Sequence, residues 1–345
     1  MLGNIFHRWS QDIGIDLGTT NTLVYAKDKG IVVSEPSIVA INNRTDQILA
    51  VGEEARKMVG KAPSYITVTR PIIAGIISDF EVAEKMIKYF IDRVRKENYT
   101  LHPRPRVVIG IPLDVTEVER KAVEDATLSA GAGQVYLIEQ PVAAAIGARL
   151  PIQEPTGNML VELGGGTTEI AVISLGGVVT FTSIKSGGLK LDNDIIQYVR
   201  ENFNLLLGER SAEELKISLG NVYPTSENPD RKVRGRDLYS GLPREVTISS
   251  AQVREAIIKN IRHLIESIRD TVEKTPPELV AEIYQKGVVL SGGGALMKGI
   301  DKLISTELKI PVHVTDDPLT GVVRGTGMVL EDLNSLKSLL LPSAN

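Results

Sequence analysis

One turn pattern occurs twice in this chain, and it constrains the possible folds more than any other feature. The first copy runs from Asp16 through Leu17-Gly18-Thr19-Thr20, and the second from Glu162 through Leu163-Gly164-Gly165-Gly166-Thr167-Thr168. Each copy reads as a strand, an acidic residue, Leu-Gly, a glycine/threonine turn and a second strand. Glu162 lies 146 positions after Asp16, roughly one domain length. The repeat therefore predicts two related domains, and two unrelated glycine hairpins are the alternative.

Short apolar segments alternate with amphipathic helical segments along the chain, which predicts an α/β fold. Thr116 with Glu119 predicts a capping box before a helix over 117–130, and Ser211 with Glu214 predicts another before 212–219. Further helices are predicted over 250–274 and 296–307. The predicted strands are 13–17, 23–26, 107–111, 135–138, 159–163, 170–174 and 288–290.

The composition excludes several classes of protein and site. The net charge of −4 gives no general attraction to nucleic acid, and the absence of cysteine excludes disulfides and thiolate metal sites. His7, His102, His263 and His313 are scattered, which disfavours a histidine metal centre. No apolar run approaches the roughly 20 residues that span a bilayer, and no signal peptide is evident. We expect a cytoplasmic protein.

The two repeated turns have the chemistry of a phosphate-binding site. A phosphate chain needs several converging N–H donors, and glycine allows the backbone to approach closely. Thr19, Thr20, Thr167 and Thr168 add hydroxyl donors. Because a bare carboxylate would repel phosphate, we expect Asp16 and Glu162 to hold Mg²⁺ through water or to orient an attacking water.

A third glycine-rich turn, 291–295, follows the predicted strand 288–290. Its backbone suits contact with a base or ribose, and a helix after it would place an N-terminus near a phosphate. A simple loop breaker is the alternative. The chain contains no G-x-x-x-x-G-K-[ST] sequence, and no strand leads into G-x-G-x-x-G, so P-loop and dinucleotide-binding folds are excluded.

In order and spacing, these three turns resemble the two phosphate motifs and the adenosine motif of the actin, DnaK-type chaperone and sugar-kinase superfamily. The segments 30–37, 78–82, 169–176, 241–244 and 274–279 are similar to the MreB family, and the resemblance covers about 11–335. It implies two actin-like (ribonuclease H-like) domains with ATP and Mg²⁺ in the cleft between them. It also implies ATP-dependent filaments that organise cell-wall synthesis and rod shape.

The resemblance also implies domain bounds and site residues. Domain I would comprise 11–150 with 320–345 and a small subdomain at about 41–74; domain II would comprise 151–319 with a small subdomain at about 189–251. Glu213 and Lys216 occupy positions that contact ribose and base in the family, although a solvated helix face is the alternative. The remaining nucleotide contacts would be Gly18, Thr19, Thr20, Asn21, Gly164, Gly165, Gly166, Thr167, Gly292, Gly293, Gly294 and Ala295.

Several positions depart from the MreB pattern. The family usually has glutamate where Gln140 precedes Pro141, aspartate where Glu162 begins the second turn, and aspartate at the position of Leu189. The segment 71–75 also lacks an expected Arg-Asp pair before its glycine. With Gln140, Asp16 and Glu162 as the catalytic candidates, we expect ATP binding with slow or altered hydrolysis. Compensation elsewhere in the chain is the alternative.

The first ten residues predict a membrane contact. Leu2, Ile5, Phe6 and Trp9 fall on one face of a helix, as in interfacial anchors. Tyr99 and Leu101 lie where the family can insert a second apolar tip. We therefore expect a protein peripheral to the inner face of the membrane, with itself and cell-elongation proteins as partners. A segment packed on its own core, or a frayed one, is the alternative.

Three other functions remain open from the sequence. A sugar kinase would release ADP in a sugar-dependent manner and would form no polymer. A DnaK-type chaperone would carry a peptide-binding domain, for which we see no room before residue 345. An actin-like adaptor would bind ATP without polymerising, and the departures at Gln140, Glu162 and Leu189 keep this function open.

Overall fold

The computed structural model describes residues 11–96 and 104–342. The predicted membrane anchor 1–10, including Leu2, Ile5, Phe6 and Trp9, lies outside the described residues, as do Tyr99 and Leu101.

The described chain contains eighteen strands and eleven α-helices, together with short 3₁₀ turns. The strands are β1 (Ile13–Leu17), β2 (Asn21–Ala26), β3 (Gly30–Pro36), β4 (Val39–Asn42), β5 (Gln47–Val51), β6 (Ile66–Thr69), β7 (Ile72–Ile73), β8 (Ile76–Ile77), β9 (Arg106–Ile111), β10 (Gln134–Glu139), β11 (Asn158–Leu163), β12 (Thr168–Ser174), β13 (Gly177–Ile184), β14 (Leu205–Leu206), β15 (Asp230–Asp237), β16 (Pro243–Ser249), β17 (Val288–Ser291) and β18 (Val312–Val314). The α-helices are α1 (Glu53–Arg56), α2 (Phe80–Lys96), α3 (Glu117–Ser129), α4 (Gln140–Gly147), α5 (Gly188–Phe203), α6 (Glu209–Leu219), α7 (Ser250–Glu273), α8 (Pro277–Lys286), α9 (Ile300–Leu308), α10 (Gly321–Glu331) and α11 (Leu333–Leu336).

Two five-stranded sheets share one topology. The first has the order β10-β9-β1-β2-β3, and the second has the order β18-β17-β11-β12-β13. In each sheet the first three strands run parallel, and the last three form two antiparallel hairpins. The sequence repeat is therefore a repeat of a complete sheet. Smaller three-stranded sheets, β5-β4-β6 and β14-β15-β16, accompany the first and second sheets respectively.

Two helices, α4 and α10, pack between the two large sheets. They share an apolar core with Val108 of the first sheet and Leu160 and Ala171 of the second. The two helices pack closely because the residues at their contact are small. A Cβ on Gly325 would overlap the backbone of Ala143. A separate apolar core lies against each sheet, one with α2 and α3 and the other with α5, α6 and α7. The halves are thus joined through a closely packed central pair of helices.

The structure confirms all seven predicted strands, with one or two residues added at some ends. Thr116 caps α3 in a reciprocal capping box with Glu119, as predicted. The helix predicted over 250–274 is α7, and its cap is Ser249 with Gln252.

Two predicted helix starts are wrong. Helix α6 begins at Glu209 after Gly208, without a side-chain cap, so Ser211 lies within its first turn. The helix predicted at 296 begins only at Ile300, because Gly299 has φ +77° and Met297 is extended. Residues Gly293–Leu296 form a 3₁₀ turn instead.

Candidate functional site

The repeated turns have the same hydrogen-bond geometry. Gly18 N donates to Asn21 O at 3.1 Å, and Gly164 N donates to Thr167 O at 2.9 Å. We call these turns the first hairpin, Asp16–Asn21, and the second hairpin, Glu162–Thr168. Both lie at the carboxyl ends of the parallel strands of their sheets, where α/β proteins commonly bind ligands.

The two hairpins face each other and are in contact. A Cβ on Gly165 would overlap Thr20 Oγ1 and lie 2.7 Å from Thr20 Cβ. A Cβ on Gly166 would overlap Thr19 Oγ1 in the same way. Glycine is therefore required here for a close approach between the two halves. The buried Thr20 Oγ1 has no hydrogen-bond partner within 11–96 and 104–342.

Two acidic side chains lie at the bases of these hairpins. Burial raises the pKa of Asp16 to about 7. The pKa of Glu162 is raised to about 8, mainly by burial. A hydrogen bond with Ser291 acts to lower this pKa, and the charge of Asp16 acts to raise it. Glu162 Oε2 is buried without a hydrogen-bond partner among the described residues. Such carboxylate oxygens are the ligand type that Mg²⁺ prefers, directly or through water, so the residues present fit that ion.

The third glycine turn packs on the second hairpin. Gly292 has φ +81°, and a Cβ there would lie 2.5 Å from Leu163 O and 2.7 Å from Glu162 Oε1. Gly292 N donates to Pro318 O at 2.7 Å. Since no α-helix starts within the next five residues, the predicted helix N-terminus near a phosphate is wrong. The remaining hypothesis is that the backbone of this turn contacts the base or ribose of a nucleoside.

Helix α6 carries Glu213 and Lys216, and neither lies on a simple solvated face. Lys216 Nζ pairs with Asp192 at 2.8 Å and donates to Gly188 O at 2.9 Å, with its side chain only 16% exposed. Glu213 lies 3.7 Å from the Arg56 guanidinium of the opposite small sheet's helix. The solvated-face alternative is wrong for Lys216, while contact of either residue with a nucleotide stays a prediction.

The positions that differ from the usual MreB residues lie around the two hairpins. Gln140 is buried as the first residue of α4, with its Cγ against Gly110, which pairs with Asp16 in the sheet register. Leu189 donates its backbone N–H to Gly165 O at 2.9 Å. Because this bond uses the backbone, leucine at 189 still supports the second hairpin. What leucine removes is a carboxylate near the site.

The segment 71–75 forms the β7–β8 hairpin with Ala74 and Gly75 as its two turn residues. Both have positive φ, +49° for Ala74 and +75° for Gly75, as a type I′ turn requires. Gly75 N donates to Thr19 Oγ1 at 2.8 Å, so this turn supports the first hairpin. Alanine is poorly suited to the left-handed region, whereas aspartate and asparagine tolerate it.

We expect Ala74→Asn to raise the free energy of unfolding by about 0.5–1 kcal/mol, because it relieves part of the left-handed strain. Urea unfolding at equilibrium measures this change. Ala62→Asn is the matched control, since Ala62 is also partly exposed but lacks a positive φ. Equal effects of the two substitutions would contradict the assignment of strain to residue 74.

The sequence and the fold both match proteins of a known family. The sequence profile described as "MreB/Mbl protein" matches residues 10–338. The chain belongs to the MreB/Mbl family. It is 46% identical over 328 residues to the cell shape-determining protein Mbl of Bacillus subtilis (strain 168), covering 95% of this chain and 98% of that protein. It is 45% identical over 335 residues to the cell shape-determining protein MreB of Escherichia coli (strain K12), covering 96% of each.

A solved structure of the family agrees with the architecture. The crystal structure of MreB5 of Spiroplasma citri bound to ADP has a TM-score of 0.90 and 34% identity, and the match covers 96% of this chain and 98% of that one. The fold of this MreB/Mbl chain is therefore actin-like, as the sequence predicted. Within the described ranges, no helix combines the length and the apolar character that crossing a bilayer requires.

Sequence reasoning missed two residues that shape the site of this MreB/Mbl chain. Ser37 is fully buried; its Oγ donates to Gly18 O at 2.6 Å, which braces the first hairpin. Glu169 is also fully buried, directly after the second hairpin. A signal for Glu169 was present, since an acidic residue directly before the apolar run 170–173 is unusual. No pattern in the sequence indicated the role of Ser37.

Proposed function

We propose that this MreB/Mbl protein binds ATP with Mg²⁺ between its two hairpins and polymerises into filaments that organise cell-wall synthesis and rod shape. The contact between Gly165 and Thr20 carries the proposal, because it brings two sets of phosphate-binding groups together from separate halves. The names of the relatives support the cell-shape function, and the ADP in MreB5 supports an adenine nucleotide.

In this proposal the backbone N–H groups of Thr19, Gly165 and Gly166 bind phosphate oxygens, helped by the threonine hydroxyls. Asp16 and Glu162 would hold the metal. Mg²⁺ bound there would offset phosphate charge and favour the ionised carboxylates. The third turn holds the nucleoside. The full set of proposed nucleotide contacts is Gly18, Thr19, Thr20, Asn21, Gly164, Gly165, Gly166, Thr167, Glu213, Lys216, Gly292, Gly293, Gly294 and Ala295.

The domain bounds of the proposal follow the two sheets. Domain I, 11–150 with 320–345, would contain the first sheet and α10; domain II, 151–319, would contain the second. The small subdomains at about 41–74 and 189–251 would contain the β5-β4-β6 and β14-β15-β16 sheets. The same topology in the two large sheets supports this division.

Hydrolysis in this protein would depend on Gln140, Asp16 and Glu162, and we propose that it is slow. The Gln140 amide can orient a water by hydrogen bonding but cannot accept its proton as a carboxylate would.

We expect Gln140→Glu to raise the steady-state rate of phosphate release by roughly 10- to 100-fold, since general-base catalysis contributes at least that much. Phosphate release from purified protein at saturating ATP measures the change. Gln134→Glu, an exposed substitution on β10, is the matched control. An unchanged rate in Gln140→Glu would show that the missing carboxylate does not limit hydrolysis.

The proposal places the protein at the inner face of the cell membrane through residues 1–10, with Tyr99 and Leu101 as a second contact. The apolar face of Leu2, Ile5, Phe6 and Trp9 supports it. Flotation of the full chain with liposomes, against a chain lacking residues 1–10, tests this part. Equal flotation of the two would remove the anchor from the proposal.

Pelleting with ATP, combined with electron microscopy, tests filament formation itself. We expect a sedimenting polymer that shows filaments and that requires nucleotide. Nucleotide binding without any polymer would instead support an actin-like adaptor, a function that the departures at Gln140, Glu162 and Leu189 keep open. Cell-elongation proteins are the partners that the family membership implies.

A further inference from the structure

A fully buried glutamate links the two halves of the molecule behind the second hairpin. Glu169 is the second residue of β12 and is 0% exposed. Its Oε1 accepts a hydrogen bond from Ser183 Oγ at 2.7 Å, within the same sheet. Its Oε2 accepts one from Leu113 N at 3.1 Å, and Leu113 follows β9 of the other sheet. The carboxylate thus spans the join between the halves.

The surroundings of Glu169 are energetically unfavourable for a carboxylate. In the register of the second sheet it lies directly opposite Glu162, so two carboxyl groups share one face of an antiparallel pair. Like charges in this position are destabilising, and burial adds a desolvation penalty. Burial is the largest cause that raises the pKa of Glu169, and the charge of Asp114 adds to it. A residue with only a packing role would be apolar here, as Ala171 and Ile173 on the same face of β12 are.

Further contacts connect Leu113 to the first hairpin. Leu113 follows Pro112, and a Cβ on Gly75 would overlap Pro112 Cγ, so these two loops are in van der Waals contact. Gly75 N in turn donates to Thr19 Oγ1 at 2.8 Å. A continuous path of contacts therefore runs from Glu169, beside the second hairpin, through Pro112 and Gly75 to Thr19 of the first hairpin.

We propose that Glu169 is a positioning residue for nucleotide hydrolysis. By holding the 112–113 segment against the second sheet, it fixes how far apart the two hairpins lie around the phosphates. The inference rests on the proposed ATP site, but it assigns a role to a residue that touches neither hairpin's phosphate-binding groups. Its contribution is geometric, through hydrogen-bond acceptance, and not through donating or accepting a proton in the reaction.

Three substitutions separate this role from simple stability. Glu169→Ala removes the acceptor, so kcat for phosphate release falls on the order of 10²-fold while the Kd for a non-hydrolysable ATP analogue changes by less than about threefold. Glu169→Gln keeps a carbonyl for Leu113 N and an amide for Ser183 Oγ, so kcat stays within about threefold of the parent. Ser183→Ala is the matched control, because it removes only the bond within one sheet.

The measurements are steady-state phosphate release, analogue binding by calorimetry, and thermal unfolding of each full-length variant. Should Glu169→Ala not fold, Glu169→Met fills the same volume without an acceptor and takes its place. Equal kcat in the parent and in a folded variant without the acceptor overturns the inference. An equal loss in Glu169→Gln and Glu169→Ala also overturns it, since charge would then matter rather than position. Absence of nucleotide binding in the parent would contradict the proposed function instead.

Discussion

Replacing Gly165 with alanine is expected to weaken ATP binding on the order of 10²-fold, because hydrogen bonds to the charged phosphates would be lost. The added Cβ would overlap Thr20 Oγ1 and lie 2.7 Å from Thr20 Cβ, so the two hairpins must separate. Because phosphates would be bound from both sides, a wider gap removes donors from one of them. Calorimetric titration with a non-hydrolysable ATP analogue measures the affinity.

The control for this prediction is Gly177→Ala, on the exposed edge strand β13. A Cβ there would have only Ser174 O within reach, at 4.0 Å, so the affinity is expected to stay unchanged. Thermal unfolding of both variants separates loss of the site from loss of the fold. Equal affinity in Gly165→Ala and the parent would mean that the close approach of the hairpins does not serve nucleotide binding.

The nucleotide-free protein is expected to become less stable as the pH rises from about 4 to about 8. Burial raises the pKa of Asp16 to about 7 and that of Glu162 to about 8, while unfolded carboxyl groups titrate near 3.8 and 4.5. Between these values the folded state binds more protons than the unfolded state, so stability falls with rising pH. Each group contributes at most about 1.4 kcal/mol per pH unit.

The double substitution Asp16→Asn with Glu162→Gln tests the origin of this slope. It removes both titrations, so the free energy of unfolding in urea is expected to rise by several kcal/mol at pH 8 relative to the parent, while differing little at pH 4. The same variant should lose the magnesium dependence of ATP binding. A parent-like pH slope in the double variant would assign the slope to other groups, of which Glu139 and Glu169 also have raised pKa values through burial.

Much of the fold was predictable because its signals are local. The two hairpins share glycine, threonine and alternating apolar residues over a few positions, and such turn chemistry specifies geometry directly. The two wrong predictions of helix starts also came from local patterns. Ser211 and Glu214 match a capping box, but Gly208 allows α6 to begin earlier, and the pair then lies inside the helix. The start of α9 depended on a left-handed Gly299, which the apolar pattern from 296 onward concealed.

The candidate site was predictable only where its residues lie in the repeated motifs. The contacts that shape the site connect positions far apart in the chain: Glu169 with Leu113 and Glu213 with Arg56 between the halves, and Gly75 with Thr19 within the first half. A single sequence does not show which residues pair over such separations, because the local context of one residue carries no information about its partner. Lys216 shows the same limit, since only the fold brings Asp192 within 2.8 Å of its amine.

The most direct test of the central claim is a calorimetric titration of the full chain with Mg²⁺ and either ATP or adenosine. If the two hairpins bind the phosphate chain, we expect one ATP site per protein chain. We also expect adenosine to bind at least about 100-fold more weakly than ATP, since phosphate contacts would supply most of the affinity. No detectable binding of ATP, or equal affinities for ATP and adenosine, would contradict the account.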